Sequence, residues 1–178
     1  TDASAKHSEV ASTAGVGGWY SRQPDPQQQQ VHWFYVKVTP AEFPWVFEKG
    51  NPQLRIAALE LYGTVFLTRA IAKLELKNED ADMPVTIYLN TDNKGNAFSI
   101  QKEYARKWPS SAMLMEHALW CHKTQIRPEV VHVRRANNMW AGSLANGDTK
   151  GCDPDKEIKL RDQQWLVWED LLRVAKSN

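Results

Sequence analysis

The sequence predicts an α/β fold: a mixed five-stranded sheet, three antiparallel strands followed by parallel additions, flanked by helices. Three observations predict it. The first forty residues hold strand-like segments separated only by turn chemistry, as in an antiparallel meander. A long stretch with apolar residues at spacings of three and four follows. Beyond it, apolar strand-like runs alternate with helical ones, the pattern of strands whose faces are covered by helices. With 178 residues, 42% of them hydrophobic and 24% charged, the chain has the size and make-up of a globular domain with a substantial core.

Residues 1–4 read as the stub of a first strand. Ala14-Gly15-Val16-Gly17-Gly18-Trp19-Tyr20 reads as a second, its glycines letting the backbone run close to a neighbour or a ligand. The polar tract 23–30, with two prolines and four consecutive glutamines, is a turn region. Residues 31–38 are β-branched and aromatic, a third strand. Asn51-Pro52 is a helix-start signal, and the helix runs to about residue 74 with Ile56, Leu59, Gly63, Phe66, Leu67, Ala70 and Ile71 as its buried stripe. A charged loop (77–82) leads to 85–89, a near-continuous apolar run expected of a central strand covered on both faces. Helices are expected over 97–107 and 112–123, a fifth strand over 130–133, and a short helix over 137–144. A division follows: one domain over 1–146, then a polar linker and an amphipathic C-terminal helix over 147–178, the helix itself read over 159–175. Most of the eight tryptophans should anchor the core, and His132 reads as a packed or edge histidine.

Three carboxylates fall where acids are costly. Asp2 lies in Thr1-Asp2-Ala3-Ser4, Glu60 inside the apolar helix segment 55–61, and Asp92 at the end of the apolar strand run. Such placements are unfavourable unless something compensates the charge, and a pair of divalent cations held by carboxylate oxygens does so. That is chemistry suited to phosphodiesters. Taken singly, each acid has a plainer reading: a terminal Asp, a solvent-facing Glu, and a turn-forming Asp in Asp92-Asn93-Lys94-Gly95.

The net charge of +1 excludes strong long-range attraction of nucleic acid, so such contacts must come from local patches or from a partner domain in a longer chain. Lys102, Arg106 and Lys107 on the helix after Asp92, and Arg134-Arg135 after the fifth strand, are the candidates. Cys121 and Cys152 match no zinc spacing; of the two remaining readings, a disulfide between them or free thiols, the expectation is a reducing, intracellular setting, cytoplasmic or nuclear. No apolar run reaches membrane-spanning length. Only Thr1 precedes Asp2, and the expectation is a fragment cut from a longer polypeptide.

The order of the elements, with acids at the end of strand one, within the first long helix and at the end of strand four, resembles the ribonuclease H fold. Thr1-Asp2-Ala3-Ser4 followed by Gly15-Val16-Gly17-Gly18-Trp19 is similar to the opening of ribonuclease H domains in retrotransposon reverse transcriptases. Glu60 in Ala57-Ala58-Leu59-Glu60-Leu61 resembles the family's second acid, and Asp92 in Thr91-Asp92-Asn93 its third. Arg135-Ala136-Asn137-Asn138-Met139-Trp140-Ala141 is similar to the stretch that carries the fourth, and the C-terminal Trp168-Glu169-Asp170-Leu171-Leu172 resembles the tail of DIRS-like polyproteins. The chain departs from the pattern at Gly142, which stands where the family has an aspartate. The resemblance implies an endonuclease that uses two Mg²⁺ or Mn²⁺ ions, held by Asp2, Glu60 and Asp92, to cut the RNA strand of RNA–DNA hybrids. Its partner would be an upstream reverse transcriptase domain. The rival reading is a module of the same fold that has lost catalysis, with Gly142 as its mark. A transposase or integrase fits less well, because those lack an acid at the position of Glu60.

Overall fold

The computed structural model describes residues 1–8, 12–76 and 83–159; the charged loop and, beyond Lys159, the expected C-terminal helix lie outside the described residues. Three strands open the chain, β1 (Asp2–His7), β2 (Ser12–Tyr20) and β3 (His32–Val38), paired antiparallel in the order β1-β2-β3. Register sets Asp2 opposite Gly17 and Trp19 opposite Trp33. A short helix α1 (Pro44–Phe47) precedes the long α2 (Ile56–Glu75), and then come β4 (Val85–Thr91), α3 (Lys94–Gln101), α4 (Ser110–Thr124), β5 (Ile126–His132) and α5 (Met139–Ala145). β4 and β5 pair in parallel, Leu89 opposite Val130. The strands thus group as a three-stranded antiparallel ladder and a two-stranded parallel one, and the mixed α/β class stands. The ladders meet where β1 begins beside the end of β4: the Thr1 amino group donates to the Asn90 carbonyl at 3.1 Å, and the Thr1 and Thr64 hydroxyls bond at 2.8 Å.

Helix α2 is the centre of the core. The expected stripe understates its burial: every residue from Leu61 to Ala70 is buried, as are Ala58, Leu59 and Ala72, whereas Ile56 and Ile71 are half-buried. The reason is that β1 and β2 cover one side of the helix while α4 and β4 cover another. Phe66 packs edge-on to Phe34, and Tyr62 to Phe43. Each such fully buried side chain contributes roughly 1.5–3 kcal/mol. Gly63 lets the helix sit close to β2, since a Cβ there would lie 2.6 Å from Val16 Cγ2. Arg69 of α2 reaches Glu116 of α4 at 3.3 Å.

On the other face of β2, α5 packs against the Gly-rich strand. A Cβ on Gly15 would come 2.4 Å from the Ala145 carbonyl oxygen, and one on Gly17 would come 2.5 Å from the Ala145 nitrogen. The glycines therefore admit a neighbouring helix, and Ser4 Oγ donates to the same Ala145 carbonyl at 2.6 Å.

Several element boundaries differ from the sequence expectation. Asn51 does cap, its Oδ1 accepting from the Gln53 N–H at 2.9 Å, but the turn it starts (Pro52–Arg55) is 3-10 and the α-helix begins at Ile56. The strand β1 runs onward from Asp2, so this acid opens the strand rather than closing it. Helix α3 spans Lys94–Gln101 instead of 97–107: Asn93 caps its start by accepting from the Asn96 N–H, and Glu103, at φ 51°, stops it. Lys102, Arg106 and Lys107 thus lie beyond the helix. Strand β5 begins four residues earlier than expected and holds Pro128, tolerable because among the described residues β5 pairs only with β4 and a strand edge needs no donor there. Strand β4 is not covered on both faces, for Ile87 and Leu89 are buried while Thr86, Tyr88 and Asn90 are exposed; alternate side chains point to opposite faces. The short helix starts at Met139, after a 3-10 turn over Arg135–Asn137.

Residues 147–159 lie along β3: Trp33 Nε1 donates to the Asp153 carbonyl at 2.8 Å, and the Ile158 N–H donates to the Trp33 carbonyl at 2.7 Å. Among the described residues no helix is long and apolar enough to cross a membrane. Cys121 and Cys152 are free thiols.

Candidate metal centre

Three elements converge on one point. Asp2 opens β1, Glu60 sits early in α2, and Asp92 follows the last residue of β4. Their ligand atoms all lie within 4.8 Å of one another. Asp2 is only 4% exposed, and Glu60 and Asp92 are half-buried. Residues from three separate elements, held by the core beneath them, make a rigid cluster of hard oxygen donors of the sort that suits Mg²⁺ or Mn²⁺.

The electrostatics show a site short of positive charge. Burial lifts the Glu60 carboxyl to about 7, opposed by a hydrogen bond from Asn93 Nδ2 to Oε2; the nearby charges of Asp2 and Asp92 push it further up, and Arg135 pulls it down. Burial raises Asp2 as well, with Asp92 adding to the rise, while the Ala3 N–H (2.8 Å to Oδ1) and Arg135 oppose it. Asp92 Oδ1 accepts from Asn138 Nδ2 at 3.2 Å, and the same amide donates to the Thr1 carbonyl at 2.9 Å. Clustered, partly desolvated carboxylates resist ionising together until a cation joins them. The donor set therefore fits a divalent ion.

Gly142 lies at the edge of this cluster. A Cβ on it would stand 3.1 Å from Asp2 Oδ2, so a side chain at 142 would point into the site. The sequence position marked by the missing acid is thus spatially adjacent to the other three, and the space is left open.

A cleft of about 440 Å³ opens beside the acids, lined by Asp2, Glu60, Arg135, Lys6, Gln53 and Asn146 among others. Of the basic residues singled out from the sequence, the structure brings Arg135 to this cleft. Arg134, Lys102, Arg106 and Lys107 are exposed and are not among its described lining residues; Lys102 lies over the Phe98 ring instead. His132 is exposed at the end of β5. Sequence reasoning missed Asn93 and Asn138, which hold Glu60 and Asp92, and Lys6, Gln53 and Asn146 in the cleft wall. Asn93 carried a signal, since its turn sequence placed a polar amide directly after an acid.

No protein-family model matches the sequence, and no curated protein matches it. Solved structures do match the fold. The N-terminal ribonuclease H domain of rv2228c from Mycobacterium tuberculosis, solved as a fusion with maltose-binding protein, superposes with a TM-score of 0.52 at 14% identity, covering 83% of this chain and 90% of that one. Ribonuclease H1 from the halophilic archaeon Halobacterium salinarum NRC-1 gives 0.48 at 14% identity, over 82% and 92% of the two chains. The chain has the ribonuclease H fold.

Proposed function

We propose that the chain is the ribonuclease H-like domain of a retrotransposon reverse transcriptase, of the DIRS-like type, and that it hydrolyses the RNA strand of RNA–DNA hybrids. The observation that carries this reading is the convergence of Asp2, Glu60 and Asp92 within 4.8 Å on a ribonuclease H fold. Mg²⁺ or Mn²⁺ at these acids would polarise the scissile phosphate and activate water, two ions being the usual complement for such hydrolysis. The chain's own part is to bind and orient. Asn93 and Asn138 hold the Glu60 and Asp92 carboxylates in place, each by a side-chain amide. Arg135 and Lys6 present positive charge to a phosphate backbone in the cleft, and Gln53 and Asn146 offer groups able to hydrogen-bond a ribose 2′-hydroxyl, which distinguishes RNA from DNA. The partners are the hybrid and an upstream polymerase domain, in an intracellular setting.

Gly142 favours a second reading, a module that keeps the fold and binds nucleic acid or supports the polymerase without cutting. Cleavage of a labelled RNA–DNA hybrid separates the two. With Mg²⁺ or Mn²⁺ the wild-type chain should cut, and Asp92→Asn should lower the rate by at least about 100-fold, the scale on which a lost electrostatic partner acts. Silence from folded wild-type protein, with cutting restored by Gly142→Asp, would mean a decayed nuclease. Silence from all three would leave the binding module.

A further inference from the structure

We propose that Arg135 supplies the second positive charge of the site, so that Asp2, Glu60 and Asp92 hold one divalent ion and the Arg135 guanidinium does the electrostatic work of the other. The inference rests on the metal-dependent nuclease reading above and refines its ion count.

Charge balance is the first argument. Four carboxylates neutralise two divalent ions. This site has three carboxylates, because Gly142 faces Asp2 where a fourth would stand. Three carboxylates are neutralised by one divalent ion and one guanidinium. On the protein alone, a second divalent ion would leave a net positive site, and beyond the three shared carboxylates it would find only water oxygens.

Position is the second. Arg135 lines the same cleft as Asp2 and Glu60, and its charge is felt at both carboxyls. It is held close by a short covalent and hydrogen-bonded path: the Asn138 N–H donates to the Arg135 carbonyl at 2.9 Å, and the Asn138 amide donates to Asp92 and to the Thr1 carbonyl. The 3-10 turn over Arg135–Asn137 fixes where this residue sits relative to the acids.

Availability is the third. Arg135 is exposed, and among the described residues no carboxylate lies within ion-pair distance of it. Its planar fork of donors is free to take two oxygens of a phosphate, a geometry lysine does not offer. In the hydrolysis, water oxygen bonds to phosphorus, the bond from phosphorus to the 3′-oxygen breaks, and the departing oxygen ends protonated. Charge builds on the phosphate oxygens along the way, and a guanidinium set beside them stabilises it. Arg134, one residue earlier and outside the cleft, makes the internal control.

The test uses the whole 178-residue chain and two readouts. Free Mn²⁺ is counted by electron paramagnetic resonance during titration of the protein bound to a hybrid blocked at the cut site by 2′-O-methylation; cleavage is measured on the unblocked hybrid. Wild type should bind one Mn²⁺ per chain. Arg135→Gln should keep that count and cut about 100-fold more slowly, with Arg135→Lys intermediate and Arg134→Gln within a few-fold of wild type. The double variant Gly142→Asp, Arg135→Gln should bind two Mn²⁺ and recover most of the rate. A count of two in wild type, or an Arg135→Gln variant that cuts as fast as wild type, would overturn the inference while leaving the nuclease intact. Cutting that appears only after Gly142→Asp would overturn it too. Absence of any Mn²⁺ site sensitive to Asp92→Asn, with no cleavage by any variant, would remove the nuclease reading itself.

Discussion

Glu60 carries the sharpest electrostatic conflict of any single side chain in the site. Its carboxyl sits at about 7 in the fold against 4.5 ordinarily, chiefly because burial penalises the charge. Between those values the folded chain holds a proton that the unfolded chain has released. The stabilisation this gives is fully present below about 4.5 and is lost as pH rises through about 7. Without metal, the melting temperature of wild type minus that of Glu60→Gln should therefore fall between about pH 5 and about pH 8, and a difference that rises would contradict the assignment. Metal binding must expel the same proton, so Mn²⁺ affinity should increase about tenfold per pH unit up to neutrality. Glu60 and Asp92 were legible in the sequence because one interrupts and the other ends an apolar run, and Asp2 because Thr1-Asp2-Ala3-Ser4 resembles the family's opening. The partners of Asn93 and Asn138 were not, although Asn93 stood out as an amide directly after an acid, because what an amide bonds depends on chain segments 33 and 46 residues away in sequence. Arg134 and Arg135 are chemically alike, and only the turn that follows decides which of them faces the cleft.

The packing of α5 on β2 is the contact between elements on which the site depends most. It brings Gly142 to Asp2, and it is possible because Gly15 and Gly17 have no side chains. Gly17→Ala would force a methyl group to within 2.5 Å of the Ala145 backbone nitrogen, an atom that cannot swing aside. Overpacking of this kind costs about 1–3 kcal/mol, and more where only backbone can yield. Urea denaturation should show that loss, and the metal affinity of Gly17→Ala should fall with it because α5 must shift away from Asp2. The order and kind of the elements could be read from periodicity and turn chemistry. Their ends could not be read as well: the stop at Glu103 needs a left-handed residue that carries no glycine signature, and Pro128 reads as a breaker until β5 is known to be an edge. The alternating burial of β4 was written in the sequence, with Val85, Ile87 and Leu89 on one face and Thr86 and Tyr88 on the other, but the aromatic ring of Tyr88 makes the run look continuously apolar.

Across the whole molecule, the acids sit where the antiparallel ladder meets the parallel one, with α2 and α5 approaching from different sides. An ion held there would tie β1, α2 and β4 together, and it would bind only the folded chain. Mn²⁺ at one hundred times its dissociation constant should stabilise the fold by about 2.7 kcal/mol. Calorimetry with and without Mn²⁺ would show the rise in melting temperature, and Asp92→Asn should abolish it. The α/β class could be argued from element order. The grouping into two ladders, and the way residues 147–159 run beside β3, rest on contacts between distant segments that no local pattern encodes.

Gly142 also has a meaning in the genetic code. Every glycine codon becomes an aspartate or glutamate codon when its middle base changes from G to A. A fourth carboxylate is therefore a single transition away whichever codon encodes this residue. The new side chain would start 3.1 Å from an Asp2 oxygen, so the two acids would need a cation or a shared proton between them. Mutation can thus reach the four-acid site in one step, and metal supply would set how much stability that step costs.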